Sequence, residues 1–405
     1  MAAPPPPPVT RRADPVPVRA PLARLALLMA FSSIATDLYL PALPRIAGDF
    51  AVPAGAVEAS VATFLAGFVA GQLAWGPAGD RWGRRRPMLA GVALFLVASI
   101  GCALAQGAVS LGAWRLVQGF GGAAAVVLAR AVIRDLHEGD AAARALSSAI
   151  ALMALAPLLG PLVGAQILRF GDWPAIFWTL AVLAVLALFA AASLPETRAP
   201  ADRSAGTVAA AYGAALGNPG LRAFAAIGAA YYAGMFAFIA AAPAIFMTGF
   251  GFSPTLFGGL LMLGTALVIL ANVVNIRLVS ALGYARTLML GTCLAALGGA
   301  GAVGAAVLAP GAPAPLIGAL MLYMAMAGLI VANSLAGALD SLPAQPGAAS
   351  ALAGAAHFAG GGIGAGLAAV LVEGDPQTLG WILACCAALA TVGAREGIYK
   401  PPFSR

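Results

Sequence analysis

Residues 76–87 read Gly76-Pro77-Ala78-Gly79-Asp80-Arg81-Trp82-Gly83-Arg84-Arg85-Arg86-Pro87, and the apolar runs on either side of them decide the fold. The run before, 57–77, and the run after, 87–107, are each about 20 residues, enough to cross a hydrocarbon core of roughly 30 Å. The stretch between them is a short loop that turns the chain back across a membrane. Its arginines fit the retention of Lys and Arg on the cytoplasmic side. That rule leaves Asp80 and the three glycines unexplained. Glycines permit a tight turn and close helix approach. Asp80 can accept hydrogen bonds at a helix N-terminus, and Arg84 can pair with an acid such as Asp135. Gly76, Asp80, Arg81, Gly83, Arg84 and Asp135 are therefore candidate gating residues, able to lock one conformation without touching a ligand.

Outward from this loop the pattern repeats. Apolar stretches fall near 22–44, 57–77, 87–107, 109–131, 145–168 and 173–193, then near 221–246, 254–276, 287–309, 313–336, 347–372 and 377–394. The chain is 61% hydrophobic and 9% charged, whereas a soluble globular chain carries about a quarter charged residues. A water-facing surface is excluded. The 50 glycines and 29 prolines suit membrane helices, where neighbouring helices satisfy freed backbone groups. The expected fold class is an all-α membrane protein of twelve transmembrane helices, in two six-helix halves around a central cavity. Residues 1–20, with prolines at Pro4 to Pro8, read as a disordered cytoplasmic tail. Residues 21–194 and 221–395 form the halves, 195–220 a cytoplasmic linker and 396–405 a second tail.

Charge tests that count. With both termini inside, 19 of the 22 Lys and Arg fall on the cytoplasmic side. Arg45 and Arg169 lie outside, and Arg115 lies within a span. The net charge of +7 thus reports topology, and no nucleic-acid partner is expected. Cys102, Cys293, Cys385 and Cys386 sit in apolar runs at no metal-ligand spacing. With two histidines, no nucleophile–base pairing and no phosphate-binding Gly-rich loop, an enzyme, a metal, a cofactor and ATP are not expected.

Charge inside a span costs at least about 2.5–3.5 kcal/mol, so each case needs a reason. The first span carries Asp37-Leu38-Tyr39-Leu40-Pro41-Ala42-Leu43-Pro44, with Asp37 roughly 22 Å from the cytoplasmic edge. A bare carboxylate is disfavoured there, which makes Asp37 a candidate proton carrier. The bland alternative is a permanently paired aspartate. Arg115, about six residues into the fourth span, counts to a similar depth. It is a candidate for coupling to Asp37; snorkelling to the interface is the alternative. In the fifth span Pro157, Gly160, Pro161 and Gly164 give a kinked helix with a flat face, or generic small-residue packing. Tyr39, Gln118, Tyr231, Tyr232, Phe236, Phe238, Phe246 and His357 are candidates for the cavity wall, although packing or lipid contact is commoner for such residues.

These segments together resemble the major facilitator superfamily. Gly76 to Pro87 is similar to its signature between the second and third spans, with Gly79 in place of the usual alanine. Arg115 to Gly122 resembles the fourth-span signature R-x-x-Q-G. Gly160-Pro161 and Gly164 match the antiporter signature, with Ala156 and Ala165 in place of its outer glycines. Asp37 to Pro44, Gly234 to Pro243 and Ala349 to Phe358 resemble the bicyclomycin and chloramphenicol resistance (Bcr/CflA) subfamily, with His357 where a glutamine is usual. The resemblance implies a proton-coupled exporter of small amphipathic drugs or metabolites, with Asp37 and Arg115 in the coupling positions. Its partners would be a small-molecule substrate, protons and the lipid bilayer, and it would work as a monomer in a bacterial inner membrane.

An internal repeat stands beside the resemblance. Ser280-Ala281-Leu282-Gly283-Tyr284-Ala285-Arg286 echoes Asp80 to Arg86 about 200 residues later. Parallel repeats fit two halves rocking around a midplane cavity. A symporter or facilitator for a metabolite is the second reading, weakly opposed by Gly160-Pro161. A channel or receptor is the third, and twelve spans in two halves suit neither.

Overall fold

The computed structural model describes residues 19–136, 155–197, 212–213, 215–343 and 346–399. The proline-rich tail up to residue 18, the start of the fifth span and most of the linker lie outside the described residues. Among the described residues every regular element is a helix. They are α1 (Arg19–Asp37), α2 (Leu43–Asp49), α3 (Ala54–Trp82), α4 (Arg85–Ala103), α5 (Ala108–Leu136), α6 (Leu155–Phe170) and α7 (Pro174–Ala192). There follow α8 (Pro219–Pro243), α9 (Pro254–Leu282), α10 (Tyr284–Leu308), α11 (Pro313–Ala325), α12 (Ala327–Asp340), α13 (Pro346–Leu371) and α14 (Pro376–Tyr399).

Eleven stretches among the described residues are long and apolar enough to cross a membrane, and Leu158–Phe170 within α6 is a shorter apolar helix. Large side chains such as Val109, Phe170, Phe189, Leu308 and Val370 are exposed on the outer surface, as suits contact with lipid rather than water.

Three spans are broken, and the breaks matter. A proline at position i cannot donate to the carbonyl of i−4. Pro41 therefore strands the carbonyl of Asp37, and Pro44 that of Leu40. In keeping with this, α1 ends at Asp37, a single 3-10 turn covers Leu40–Ala42, and α2 restarts at Leu43. Pro243 ends α8, and a π-helical turn, Ala244–Gly249, carries the span onward. The tenth span divides at Met326 into α11 and α12.

In the first half α5 is central, packed against α3, α4 and α1; in the second, α8 packs along α13 and α14. The halves meet where α3 lies on α13 and α6 lies on α9. The two equivalent hairpins, α3–α4 and α9–α10, each turn on a glycine with positive φ, Gly83 at 86° and Gly283 at 78°. That backbone region is where glycine is favoured, so the echo seen in the sequence is an echo in geometry. One boundary needs correcting. Residues 76–82 belong to the last turns of α3, Pro77 included, and only Gly83 and Arg84 form the turn.

Candidate functional site

Between the halves lies a cavity of about 420 Å³, lined from both. Thr36, Asp37, Phe64, Phe68, Arg130 and Pro161 face it from the first half; Tyr232, Phe236, Thr265, Asn272, Met324 and Phe358 are among those from the second. The wall is mainly aromatic and aliphatic with a few polar groups, the usual make-up of a small-molecule site.

Asp37 reaches this wall because α1 stops there. It is held from behind by α6: a Cβ on Gly160 would stand 2.9 Å from the Cβ of Asp37, and one on Gly164 would stand 1.9 Å from the carbonyl oxygen of Leu38. No larger residue fits at 164 without separating the helices. Pro161, between these glycines, faces the cavity, and its carbonyl lies against Gly258 on α9. Pro157 falls in the first turn of α6.

Arg115 is fully buried and does not line the cavity. Its Nη1 donates to the Ala35 carbonyl (3.0 Å) and to Gln118 Oε1 (2.6 Å). Gln118 Nε2 in turn donates to Ser99 Oγ at 2.8 Å. The guanidinium carbon sits 4.5 Å from the Tyr39 ring centroid and 4.3 Å from that of Phe64. Stacking of this kind suits the flat, weakly hydrated guanidinium. Its Nε and Nη2 have no hydrogen-bond partner among the described residues. Snorkelling to the interface, the alternative weighed for Arg115, does not occur. Arg115 and Asp37 form no ion pair among the described residues; they are linked through Ala35, two residues from Asp37, and through Phe64, which touches Arg115 on one side and the cavity on the other.

The remaining aromatic candidates divide. Tyr232 and Phe236 line the cavity. Tyr39, Gln118, Tyr231, Phe238, Phe246 and His357 are buried in packing and do not line it. The reasons are local. The Tyr39 hydroxyl is bonded to Ser60 Oγ. Tyr231 donates to the carbonyls of Tyr323 (2.8 Å) and Met324 (3.2 Å), which the break at Met326 frees from regular helical bonding. His357 fills the space left by Gly228, 3.5 Å from Ser334 Oγ and beside the Tyr232 ring.

At the far end of α3 a charged cluster gathers. Arg84 Nη1 donates to Asp80 Oδ1 and Arg84 Nε to Asp135 Oδ2, both at 2.9 Å. Partial burial works against the Arg84 charge, but Asp135 and Asp80 outweigh it and hold the guanidinium's proton more tightly than usual. Glu196, just past α7, accepts from the backbone N–H of Arg84 (2.7 Å) and of Arg85 (3.2 Å). It caps α4 where a Cβ on Gly83 would otherwise collide with its carboxylate. Thr197 Oγ1 donates to Asp135 at 2.8 Å. Arg81 stands apart, exposed, its guanidinium over the Trp82 ring. Gly76 is not demanded by space, since a Cβ there would meet only the Tyr212 hydroxyl at 3.5 Å.

Two residues of this region escaped the sequence reading. Arg130, counted there as a cytoplasmic topology charge, lines the cavity. Glu58, which the sequence did not single out, is buried on α3. No cluster of three or more His, Cys, Asp or Glu side chains forms among the described residues.

A two-half helical bundle around a mainly apolar cavity, with a carboxyl at the break of its first span facing that cavity, is the architecture of a membrane transporter. The chain belongs to the Major Facilitator Superfamily, whose profile matches residues 25–365. It is 28% identical to a bicyclomycin resistance protein homologue from Haemophilus influenzae over 91% of this chain and 93% of that one. It is 30% identical to an uncharacterised MFS-type transporter, YdgK, from Bacillus subtilis, over 82% and 83%. A multidrug resistance protein, MdtL, from Escherichia coli matches at 33% over 42% of this chain and 43% of its own. Among solved structures, a D-xylose–proton symporter superposes with a TM-score of 0.73 at 19% identity, covering 94% of this chain and 97% of that one. A peptide transporter does so at 0.75 and 15%, covering 93% of each.

Proposed function

We propose that this transporter exports small amphipathic organic molecules in exchange for protons, with Asp37 as the residue that carries the proton. The observation that carries the reading is the position of Asp37: a carboxyl at the break of the first span, facing the cavity, with Gly160 and Pro161 of α6 packed behind and beside it. A charge in that place is costly when bare. Binding a proton or a cationic, hydrogen-bonding substrate relieves it, and the two compete for one group. Competition of that kind is what exchange requires. Arg115 lies too deep to bind substrate directly; its role is to set the local field through Ala35 and Phe64. The latch at Asp80, Arg84 and Asp135 holds one arrangement of the helix ends, and its rupture accompanies the change of access.

Export is supported by the relatives described as bicyclomycin and multidrug resistance proteins. In this reading the chain acts as a monomer in a bacterial inner membrane. The arginine-rich ends of α3 and α4 face the cytoplasm, as do both termini. Symport remains the second reading, favoured by the likeness to a xylose–proton symporter in fold. Transport by inverted vesicles of a compound panel under an imposed proton gradient tests the proposal. Uptake into vesicles acidified inside supports exchange. Uptake that instead follows the proton inward from an acidic medium contradicts it.

A further inference from the structure

On α3 the residues Gly55, Glu58, Ala62 and Leu65 follow a 3-4-3 spacing and so form one stripe along the helix. That stripe is the seam between the halves. A Cβ on Gly55 would stand 2.0 Å from the Ala369 carbonyl oxygen of α13, while Cβ atoms on Gly362 and Gly366 would meet Leu65 and Ala62. Glu58 lies in the middle of this contact and is 3% exposed. The facing residues of α13 are small and uncharged.

Around it, Tyr39 is the ionisable group whose hydroxyl feels the Glu58 carboxyl; Glu373, just past α13, is exposed, Asp375 accepts from Gln377 and Thr378, and Asp37 and Arg130 face the cavity. Arg45 on α2 is exposed and paired with Asp172, and Asp49 on α2 accepts from the Trp173 indole. Tyr39 is bonded to Ser60, and Arg115 on α5 bonds Ala35 and Gln118. His357 lies further down α13 beside Tyr232. Arg85, Arg86 and Arg222 sit toward the opposite ends of α4 and α8. No cation among the described residues pairs with Glu58.

An ionised carboxylate buried without a partner is strongly disfavoured. The closed seam therefore tolerates this acid only in its neutral form. We propose that Glu58 is a second proton-exchange site, one that ionises only when the α3–α13 seam opens and that must regain its proton before the seam can close. The inference rests on the proton-exchange reading above and extends it. Asp37 trades a proton for substrate inside the cavity, and Glu58 ties closure of the end of the molecule nearer residues 50–58 to proton uptake there.

The test is amide hydrogen exchange on the full chain in lipid nanodiscs, reading segments 54–66 and 362–371 after correction for intrinsic exchange rates. Protection of both segments in the wild type falls about tenfold or more between about pH 6 and about pH 9, while Glu58→Gln stays within about twofold of its low-pH value. Glu58→Asp follows the wild type. Should Glu58→Gln fail to assemble, Glu58→Met carries the same expectation of pH-independent protection. A wild type without pH dependence, or a Glu58→Gln variant that loosens in step with it, overturns the proposal. Substrate transport by Asp37→Asn is read separately, so failure of the exchange reading and failure of the seam proposal leave different signatures.

Discussion

Gly164 and Leu38 touch backbone to backbone: a Cβ at 164 would stand 1.9 Å from the Leu38 carbonyl oxygen. The fifth span thereby fixes the residue next to Asp37. Adding a methyl group here forces α6 from α1, at a cost of about 1–3 kcal/mol for overpacking. Gly164→Ala is expected to lower the thermal midpoint and to reduce transport more than it reduces the amount of folded protein. Gly160→Ala, whose Cβ would stand 2.9 Å from the Asp37 Cβ and 3.5 Å from the Leu38 backbone nitrogen, does the same to a smaller extent. Transport rate per folded molecule is the measurement, and unchanged transport in Gly164→Ala speaks against a role for this contact.

The Arg84 latch gives a second expectation. Arg84 is largely buried and holds two carboxylates, and charge-assisted bonds of this kind contribute about 1.5–3 kcal/mol. Asp135→Asn keeps the shape but weakens the pair, and also weakens the bond from Thr197. It is expected to destabilise the present arrangement by about 1–2 kcal/mol and to raise the thiol accessibility of cysteines introduced one at a time along the ends of α3 and α4 that meet at Gly83. Arg81→Ala, which breaks no ion pair among the described residues, serves as the control and leaves accessibility unchanged.

Arg115→Lys is a nominally mild change that should not be mild here. An ammonium cannot lie flat between the Tyr39 and Phe64 rings while bonding Ala35 and Gln118. Transport is expected to fall at least about tenfold, the equivalent of roughly 1.4 kcal/mol in the transport barrier. A lysine variant with wild-type rate would show that only the positive charge matters.

Tyr231 and Tyr232 are neighbours in sequence with different duties. Tyr231→Phe removes the hydroxyl that bonds the carbonyls at the break of the tenth span. A loss of about 1 kcal/mol of stability, with the range of exported compounds unchanged, is expected. Tyr232→Ala opens the cavity wall and should alter that range. A compound panel run on both variants checks the division.

That pair also shows how far the sequence could be read. Successive helical residues point about 100° apart, but both faces of α8 are apolar, so no periodicity told which tyrosine faces the cavity. The spans were legible because hydrocarbon imposes their length. Asp37 as a charge within the first span was legible, but the break beside it was not read, although Pro41 and Pro44 account for it. The partnership of Arg84 with an acid such as Asp135 was legible because an isolated cluster of charge needs a counterion. Glu58 and Arg130 were not, and for one reason: each lies near the end of a span, where charge usually means interface. Glu58 lies on the stripe of α3 that meets α13 and is buried, and Arg130 lines the cavity. His357 stood out as a rare polar residue in mid-span, yet Gly228 had already made room for it as packing.

Proton exchange in this reading depends on one carboxyl group, and Asp37→Asn removes it. In everted vesicles the variant, neutral like the protonated acid, is expected to bind cationic substrate more weakly, while proton-driven accumulation and substrate-induced proton release both disappear. Accumulation and proton release at wild-type levels in Asp37→Asn would show that Asp37 does not carry the proton.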